Sequence, residues 1–551
     1  MQQNSNSLFF NNKSQNLENK TPLLLTSNHS KNIKNKNFEF MVNIRKSDRK
    51  DIIRNSRFRN VRKLTETQNP QITLLEAQIP PGSLYPEKLS HLPKVKDAER
   101  IFQILKDIQN VQPDPANLKG YLDLIRNGSR IQKHQAIIYL RKLLSNLQNL
   151  PIQETIDLNG VPLLMKLANN TSELHLRMEA TWCLANLVSG NTQQTKTLIS
   201  KNIIKLFDSI LEDPYPQIVE QAIWGLGNII GDSVELREKV VEEGILKKFL
   251  VLLNTSQNKN VQKQLVWCIS NALRIRPKRE SCIKRQHSVV ALICAFNTFN
   301  EISIKIDCLN GFSGYCKPVL LFNFTNSAFL TNLRNFYEFL YTQKKDFSEI
   351  KGEISCIHKI IGNITNGDDF DTEKILEHGF LKNLCHMLTV QNMTVQREVC
   401  WILSNIAAGT SDQIKALLFE PNLFQNLVSM LLNSPKEIQR EALWCICNMT
   451  KNCDSDQLNF LIENNVLEVF KDCLGMDCDK KILVLVLEAI PNLIEKSMVK
   501  KENGENQSYL MDYIYNCGMA DRISELQRHP SDHVYEKSKQ LLERYFDLEE
   551  Y

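Results

Sequence analysis

Five tryptophans are spread along a chain of 551 residues, and each is followed four residues later by asparagine: Trp182 and Asn186, Trp224 and Asn228, Trp267 and Asn271, Trp401 and Asn405, Trp444 and Asn448. Successive tryptophans stand 42, 43, 134 and 43 residues apart, and the long gap is close to three of the short ones. A fixed period of this length requires a unit copied along the chain rather than a single irregular core. A second marker keeps the same beat, since Gly160, Asn202, Gly244 and Gly379 fall 22 or 23 residues ahead of Trp182, Trp224, Trp267 and Trp401. Each is expected to end a helix in the left-handed conformation at a C′ position. The segments between them carry apolar residues at i, i+3, i+4 spacing with few β-branched alternations, which is the amphipathic helical pattern.

Each period therefore reads as a short helix, a break, a second helix, and a third helix bearing the Trp/Asn pair. An all-helical repeat of this length falls in the armadillo/HEAT class, and the expected fold is all-α, a right-handed superhelical solenoid of about ten repeats. The repeats are expected to fill residues 96–551. Ahead of them, residues 1–40 hold ten asparagines and no helical or strand periodicity, and read as a disordered tail. Residues 41–66 are strongly basic, and residues 67–95 are a proline-containing linker. Residues 1–70 hold 14 Lys/Arg against 5 Asp/Glu, a net of +9 in a chain whose total is +5, so the remainder is acidic. A basic head on an acidic body can dock on a partner or on the body itself.

Residues four apart on a helix share one face. Repeated once per period, the pairs would form a ladder along one wall of the solenoid. An asparagine amide offers a donor and an acceptor to an extended peptide backbone. Neighbouring indoles form slots for aliphatic stems and attract the cation at the tip by about 0.5 to 2 kcal/mol. A lone tryptophan is ordinarily a core residue, but core packing accepts Leu or Phe equally well and has no use for an amide one turn away. The phase-locked recurrence therefore favours a peptide-binding surface.

The blocks RMEATWCLANLVSGNTQQTK, EQAIWGLGNIIGDS, REVCWILSNIAAGTSDQ and REALWCICNMT, with the C-terminal GMADRISELQRHPSDHVYEKSKQLLERYFDLEE, resemble importin alpha, the armadillo adaptor family that carries nuclear localisation signals. The resemblance runs from about residue 40 to the end. It implies a major site for Lys/Arg-rich peptides formed by Trp182, Asn186, Gln221, Trp224, Asn228, Trp267, Asn271 and Asp307, with a lysine pocket of the Gly190 carbonyl, the Thr195 hydroxyl and the Asp232 carboxylate. Three acceptors match the three donors of an ammonium. It implies a minor site formed by Asn363, Glu398, Trp401, Asn405, Glu441, Trp444 and Asn448.

The chain departs from the family pattern in the fifth repeat, where Asn310 and Gly314 replace the expected Trp and Tyr while Asp307 and Ser313 match. In the sixth, Lys359 stands for the family's Arg, and about seven extra residues around 321–345 are expected to form an extended loop or helix. The head resembles the family's importin-beta-binding segment, which implies a binding and self-inhibiting role for Arg45, Lys46, Arg49, Lys50, Arg54, Arg57 and Arg59. The interruption Arg57-Phe58-Arg59 predicts weaker self-inhibition than the family norm. Further partners implied are importin beta and, at the C-terminal repeats, an export receptor. Shuttling between cytoplasm and nucleus follows from the same resemblance.

The chain contains no P-loop, HExxH or GxSxG motif, and GLGNIIG at 225–231 has the wrong spacing for a dinucleotide fingerprint and lies inside a Trp/Asn helix. The 15 cysteines form no framework of fixed spacings, and Cys445 and Cys447 are expected to be buried hydrophobes rather than a metal half-site. His358 is expected on a helix surface. No enzyme activity, cofactor, metal, nucleic acid or membrane is expected. The rival reading is an armadillo scaffold for signalling or cytoskeletal partners, whose groove would be basic; Asp232, Asp307, Glu398 and Glu441 beside the ladder argue against it.

Overall fold

In a computed structural model, residues 111–145, 150–170, 172–273, 285–315, 324–343, 347–475, 478–499 and 508–546 are described. The basic head, with its seven named Arg and Lys residues, and the linker lie outside them. Among the described residues the ordered elements are all helical, with no strand. The chain divides into two compact units, whose described parts are 111–402 and 403–546.

The last helix of each repeat is the element that matters for the site. These ladder helices are α1 (Arg130–Leu143), α2 (Leu174–Leu187), α3 (Pro216–Asp232), α4 (Lys259–Leu273), α5 (Ile302–Tyr315), α6 (Phe347–Thr365), α7 (Met393–Ala407), α8 (Lys436–Asn452), α9 (Lys480–Val499) and α10 (Asp532–Tyr545). In the first unit α1 to α6 pack each against the next, and in the second α8, α9 and α10 do the same.

Local chemistry sets the boundaries. Ser129 with Gln132, Asn191 with Gln194, Thr410 with Gln413 and Asp454 with Gln457 form capping boxes, in which the cap side chain and the third helical residue satisfy each other's free backbone N–H. Pro216 opens α3 where its missing N–H has no partner to lose. The short and second helices of a repeat meet at a left-handed residue: Asn202, Gly244, Gly379, Asn422, Asn465 and Gly518 all have φ between +60° and +79°. The first of these turns differs from expectation. Asn159, not Gly160, takes the positive φ of 53°. Gly160 is instead the first residue of the following helix, where an added Cβ would sit 2.8 Å from the Thr155 methyl and 2.9 Å from its carbonyl oxygen.

The core lies between the ladder helices and the helices behind them, with Leu184, Leu187, Ile223, Leu226, Ile230, Leu265 and Ile269 of α2 to α4 fully buried. Cys445 and Cys447 are buried in α8 at 0% and 6% exposure. The second helix of the sixth repeat, Ser327–Thr342, is longer than its counterparts Ile245–Thr255 and Gln286–Thr298 and buries Phe329, Leu330, Leu333, Phe336 and Tyr337. Its Phe329 meets Phe296, Phe312 and Phe324 edge to face at 5.4 to 5.7 Å between ring centres, a favoured aromatic geometry. Arg285 is fully buried, donates to the Ala272 carbonyl at 2.9 Å and pairs with Glu238.

A ladder of indoles and amides as a candidate peptide-binding site

Trp267 and Trp401 lie at the seam between their own ladder helix and the ladder helix before it. A Cβ added to Gly227 of α3 would fall 2.2 Å from Cζ3 of Trp267, and one added to Gly362 of α6 would fall 2.0 Å from Cζ3 of Trp401. Each six-membered ring therefore rests directly on the backbone of the preceding helix, one residue before that helix's own ladder asparagine. Trp182, Trp267 and Trp444 stay partly exposed, whereas Trp224 and Trp401 are more covered, at 7% and 3%.

The amides are not idle in the folded chain. Asn186 donates from Nδ2 to Ser145 Oγ at 3.0 Å and Asn228 to the Ala185 carbonyl at 3.2 Å; in the second unit Asn448 donates to the Ser404 carbonyl at 2.9 Å. Each bond reaches back to the previous repeat. The expectation that an amide one turn from an indole has no structural use is thus corrected, because half of it staples neighbouring repeats. The remaining N–H and the Oδ1 of such an amide retain the capacity to meet a ligand.

At the first rung the Arg141 guanidinium of α1 lies over the Trp182 ring, 4.6 Å from its centre, and Arg141 Nε donates to Glu179 Oε2 at 2.8 Å. The seam is therefore wide enough to lay a cation flat on an indole, which is the contact a basic side chain would make. Gln221 and Trp224 share one face of α3, and the Gln221 Oε1 is buried and accepts no hydrogen bond. An acceptor in that state has a standing cost that a donor from a ligand would remove.

The proposed lysine pocket is assembled unevenly. Asp232 is the last residue of α3, partly exposed at the negative end of the helix dipole, a place that favours a cation. Gly190 is also partly exposed, but Thr195 is fully buried and donates its hydroxyl to the carbonyls of Asn191 at 3.1 Å and Val188 at 3.3 Å. Asp307 is partly exposed on α5, and Asn310 fills the rung with a small side chain whose Oδ1 lies 3.9 Å from Cys356 Sγ. The side chains of 313 and 314 lie outside the described ones.

Of the residues expected at the minor site, Asn363 and Trp401 remain on ladder positions of the first unit, with Lys359 four residues before Asn363. Glu398 is 1% exposed and already engaged, accepting from Ser355 Oγ at 2.7 Å and lying 3.2 Å from His358 Nδ1. His358 is fully buried rather than on a surface, with Tyr337 Oη at 2.5 Å from its Nε2. The reason is the helix at 327–342 of the same repeat, whose Tyr337 packs on His358 and covers that face of α6. In the second unit Asn405, Glu441 and Asn448 are buried at 0%, 1% and 3%, and Trp444 stays partly exposed.

One residue escaped the sequence reading. Glu220 stands one turn before Trp224 on the same face of α3, partly buried, and burial alone pushes its carboxyl up to about 7. It has no hydrogen-bond or ion-pair partner among the described residues. A carboxyl held in that state gains by receiving a cation. On a sequence it reads as one more solvated helix charge.

Comparison with known proteins agrees with this architecture. The armadillo/beta-catenin-like repeat model matches residues 148–189, 233–274, 371–408 and 410–451, and the atypical Arm repeat matches 509–551. Importin subunit alpha-1a of Oryza sativa subsp. japonica is 28% identical over 437 residues, covering 76% of this chain and 77% of its own. Importin subunit alpha-3 of Arabidopsis thaliana is 28% identical over 448 residues, covering 81% and 82%. An engineered protein from the Northeast Structural Genomics Consortium, 20% identical, superposes with a TM-score of 0.62 over 78% of this chain and 98% of its own, which speaks for the fold. With its helical repeats, its recurring indole and amide rungs and these relatives, the chain is an armadillo-repeat protein homologous to the importin alpha subunits.

Proposed function

We propose that this chain is a nuclear import adaptor that holds Lys/Arg-rich localisation signals in extended form along α2, α3 and α4. The observation that carries this reading is the recurrence, at consecutive seams, of an indole and an amide one turn apart, with carboxylates beside them. Indole faces receive the stems and cations of alternate ligand side chains, the free halves of Asn186, Asn228 and Asn271 meet the ligand backbone, and Glu220, Asp232 and Asp307 supply the negative charge. In the second unit Trp444 and Asn448 provide a further rung of the same kind.

The basic head at 41–66 is the segment we assign to importin beta, and the C-terminal repeats to an export receptor, so that the protein shuttles between cytoplasm and nucleus. Among the described residues no helix is long and apolar enough to cross a membrane. The test is calorimetry of the full chain, and of the chain lacking residues 1–70, with a monopartite Lys-rich peptide. Micromolar or tighter binding is expected. Asp232→Lys should nearly abolish it by placing like charge beside the ligand ammonium. Unchanged affinity in that variant would move the site elsewhere.

A further inference from the structure

Past Asn448 the beat continues for one more repeat with altered chemistry. Asn492 of α9 stands 44 residues after Asn448. It donates from Nδ2 to Thr450 Oγ1 at 3.2 Å, the same backward reach that Asn448 makes. Four residues before it, where an indole would stand, is Glu488. Between α8, α9 and α10 lies a cleft of about 290 Å³ whose walls include Trp444, Asn448, Lys451, Glu488, Lys537 and Arg544.

The charges in this cleft are opposite to those beside Trp224. Three cations face one carboxylate. Lys537 satisfies Glu488 at 3.2 Å, and Arg544 turns to Glu495 at 2.9 Å. Lys451 is left over: its Nζ is shielded from solvent and has no hydrogen-bond partner. Burial lowers its pKa to about 8, so at pH 7 it is still mainly an ammonium. Three residues after the ladder asparagine, this position is Ser189, Gly231, Asn366 and Ala408 in other repeats, and only Arg274 shares the charge. A buried ammonium without an acceptor is unfavourable unless something anionic arrives.

We propose that this cleft is an anion subsite, which takes an acidic side chain of the same peptide whose basic residue lies on Trp444, with the carboxylate held by Lys451 and the cations of α10. The proposal rests on the peptide-groove reading. Neighbouring helices lie roughly 8–10 Å apart and an extended chain advances about 3.3 Å per residue, so the acid stands about three residues from the base. The preferred ligand is thus a mixed-charge signal, a basic cluster followed or preceded at that interval by Glu or Asp.

The test uses the full chain in an Asp232→Lys background, which silences the first site, and labelled Lys-rich peptides carrying either Glu or Gln three residues to one side or the other of the cluster. Fluorescence anisotropy should show one Glu peptide binding at least fivefold tighter than its Gln counterpart. That advantage should fall below twofold in Lys451→Gln and in Arg544→Gln, and Lys451→Glu should reverse it. Lys451→Met, judged folded by an unchanged or higher melting temperature, should also lose it. Equal binding of the Glu and Gln peptides to the unaltered cleft, or an advantage that survives Lys451→Gln, overturns the proposal. So does an advantage erased by millimolar inorganic phosphate at constant ionic strength, since the cleft would then hold a free anion. Failure of the groove reading is seen separately, as a Gln peptide that does not bind or whose affinity ignores Trp444→Ala.

Discussion

The Glu220 carboxyl couples ligand binding to protons. Its pKa of about 7 lies well above the usual carboxyl value near 4.3, because burial disfavours the ionised form and no cation offsets it. At pH 5 the free protein therefore holds this group almost fully protonated, and ionising it costs about 2.7 kcal/mol. A peptide cation placed on the Trp224 rung needs the carboxylate, and so must displace the proton. Affinity should strengthen with rising pH by up to tenfold per unit between pH 5 and 7, to a limit of about 100-fold, and level off above pH 7. Titration calorimetry at pH 6 in buffers of different ionisation enthalpy should show close to one proton released per peptide. Glu220→Gln should flatten the profile and remove the proton release. Stability follows with the opposite sense. Because the folded-state pKa is raised, the contribution of this group is fully present below its unfolded value and is lost as pH rises through about 7. Glu220→Gln should accordingly be more stable than the parent at pH 8, by about 1–3 kcal/mol, and indistinguishable at pH 4. A flat affinity profile in the parent, or an identical slope in Glu220→Gln, would refute the assignment of a protonated carboxyl to this rung.

Other substitutions probe the seams. Gly227→Ala should gain about 1 kcal/mol of helix propensity yet lower stability by about 1–3 kcal/mol overall, because the new methyl collides with the Trp267 ring and Cys268 Sγ; thermal melting decides the sign. Peptide affinity should fall in the same variant as the indole is displaced. Arg285→Ala should cost about 2–4 kcal/mol in urea unfolding, since it empties a fully buried site and removes the donor to the Ala272 carbonyl. Asn228→Leu should cost about 1 kcal/mol for the lost bond to Ala185, and should weaken peptide binding more than it weakens the fold.

Much of this was legible from the residues, and the exceptions have physical causes. The Trp/Asn beat located α2, α3, α4, α7 and α8 because one residue type at one spacing marks one helix face. The turn before α2 was displaced by one residue, since Asn159 and Gly160 are adjacent and both suit a break; the left-handed site went to asparagine, and the glycine was needed for close approach to Thr155. His358 read as a surface group because helical periodicity reports a face, not what a helix 20 residues upstream will cover. Glu220 was missed for the converse reason. Its perturbation comes from desolvation by neighbouring repeats, which a single helix does not encode.

Where Trp267 lies on Gly227 and Trp401 on Gly362, one ring serves as both shelf bracket and receptor. Ligand occupancy and repeat spacing are then a single mechanical variable at those two seams, so a bound peptide should damp relative motion of the repeats on either side of Trp267 as well as fill the slot. Where Asn310 stands in for the ring, spacer and slot disappear together, and that rung is the natural place for the array to yield.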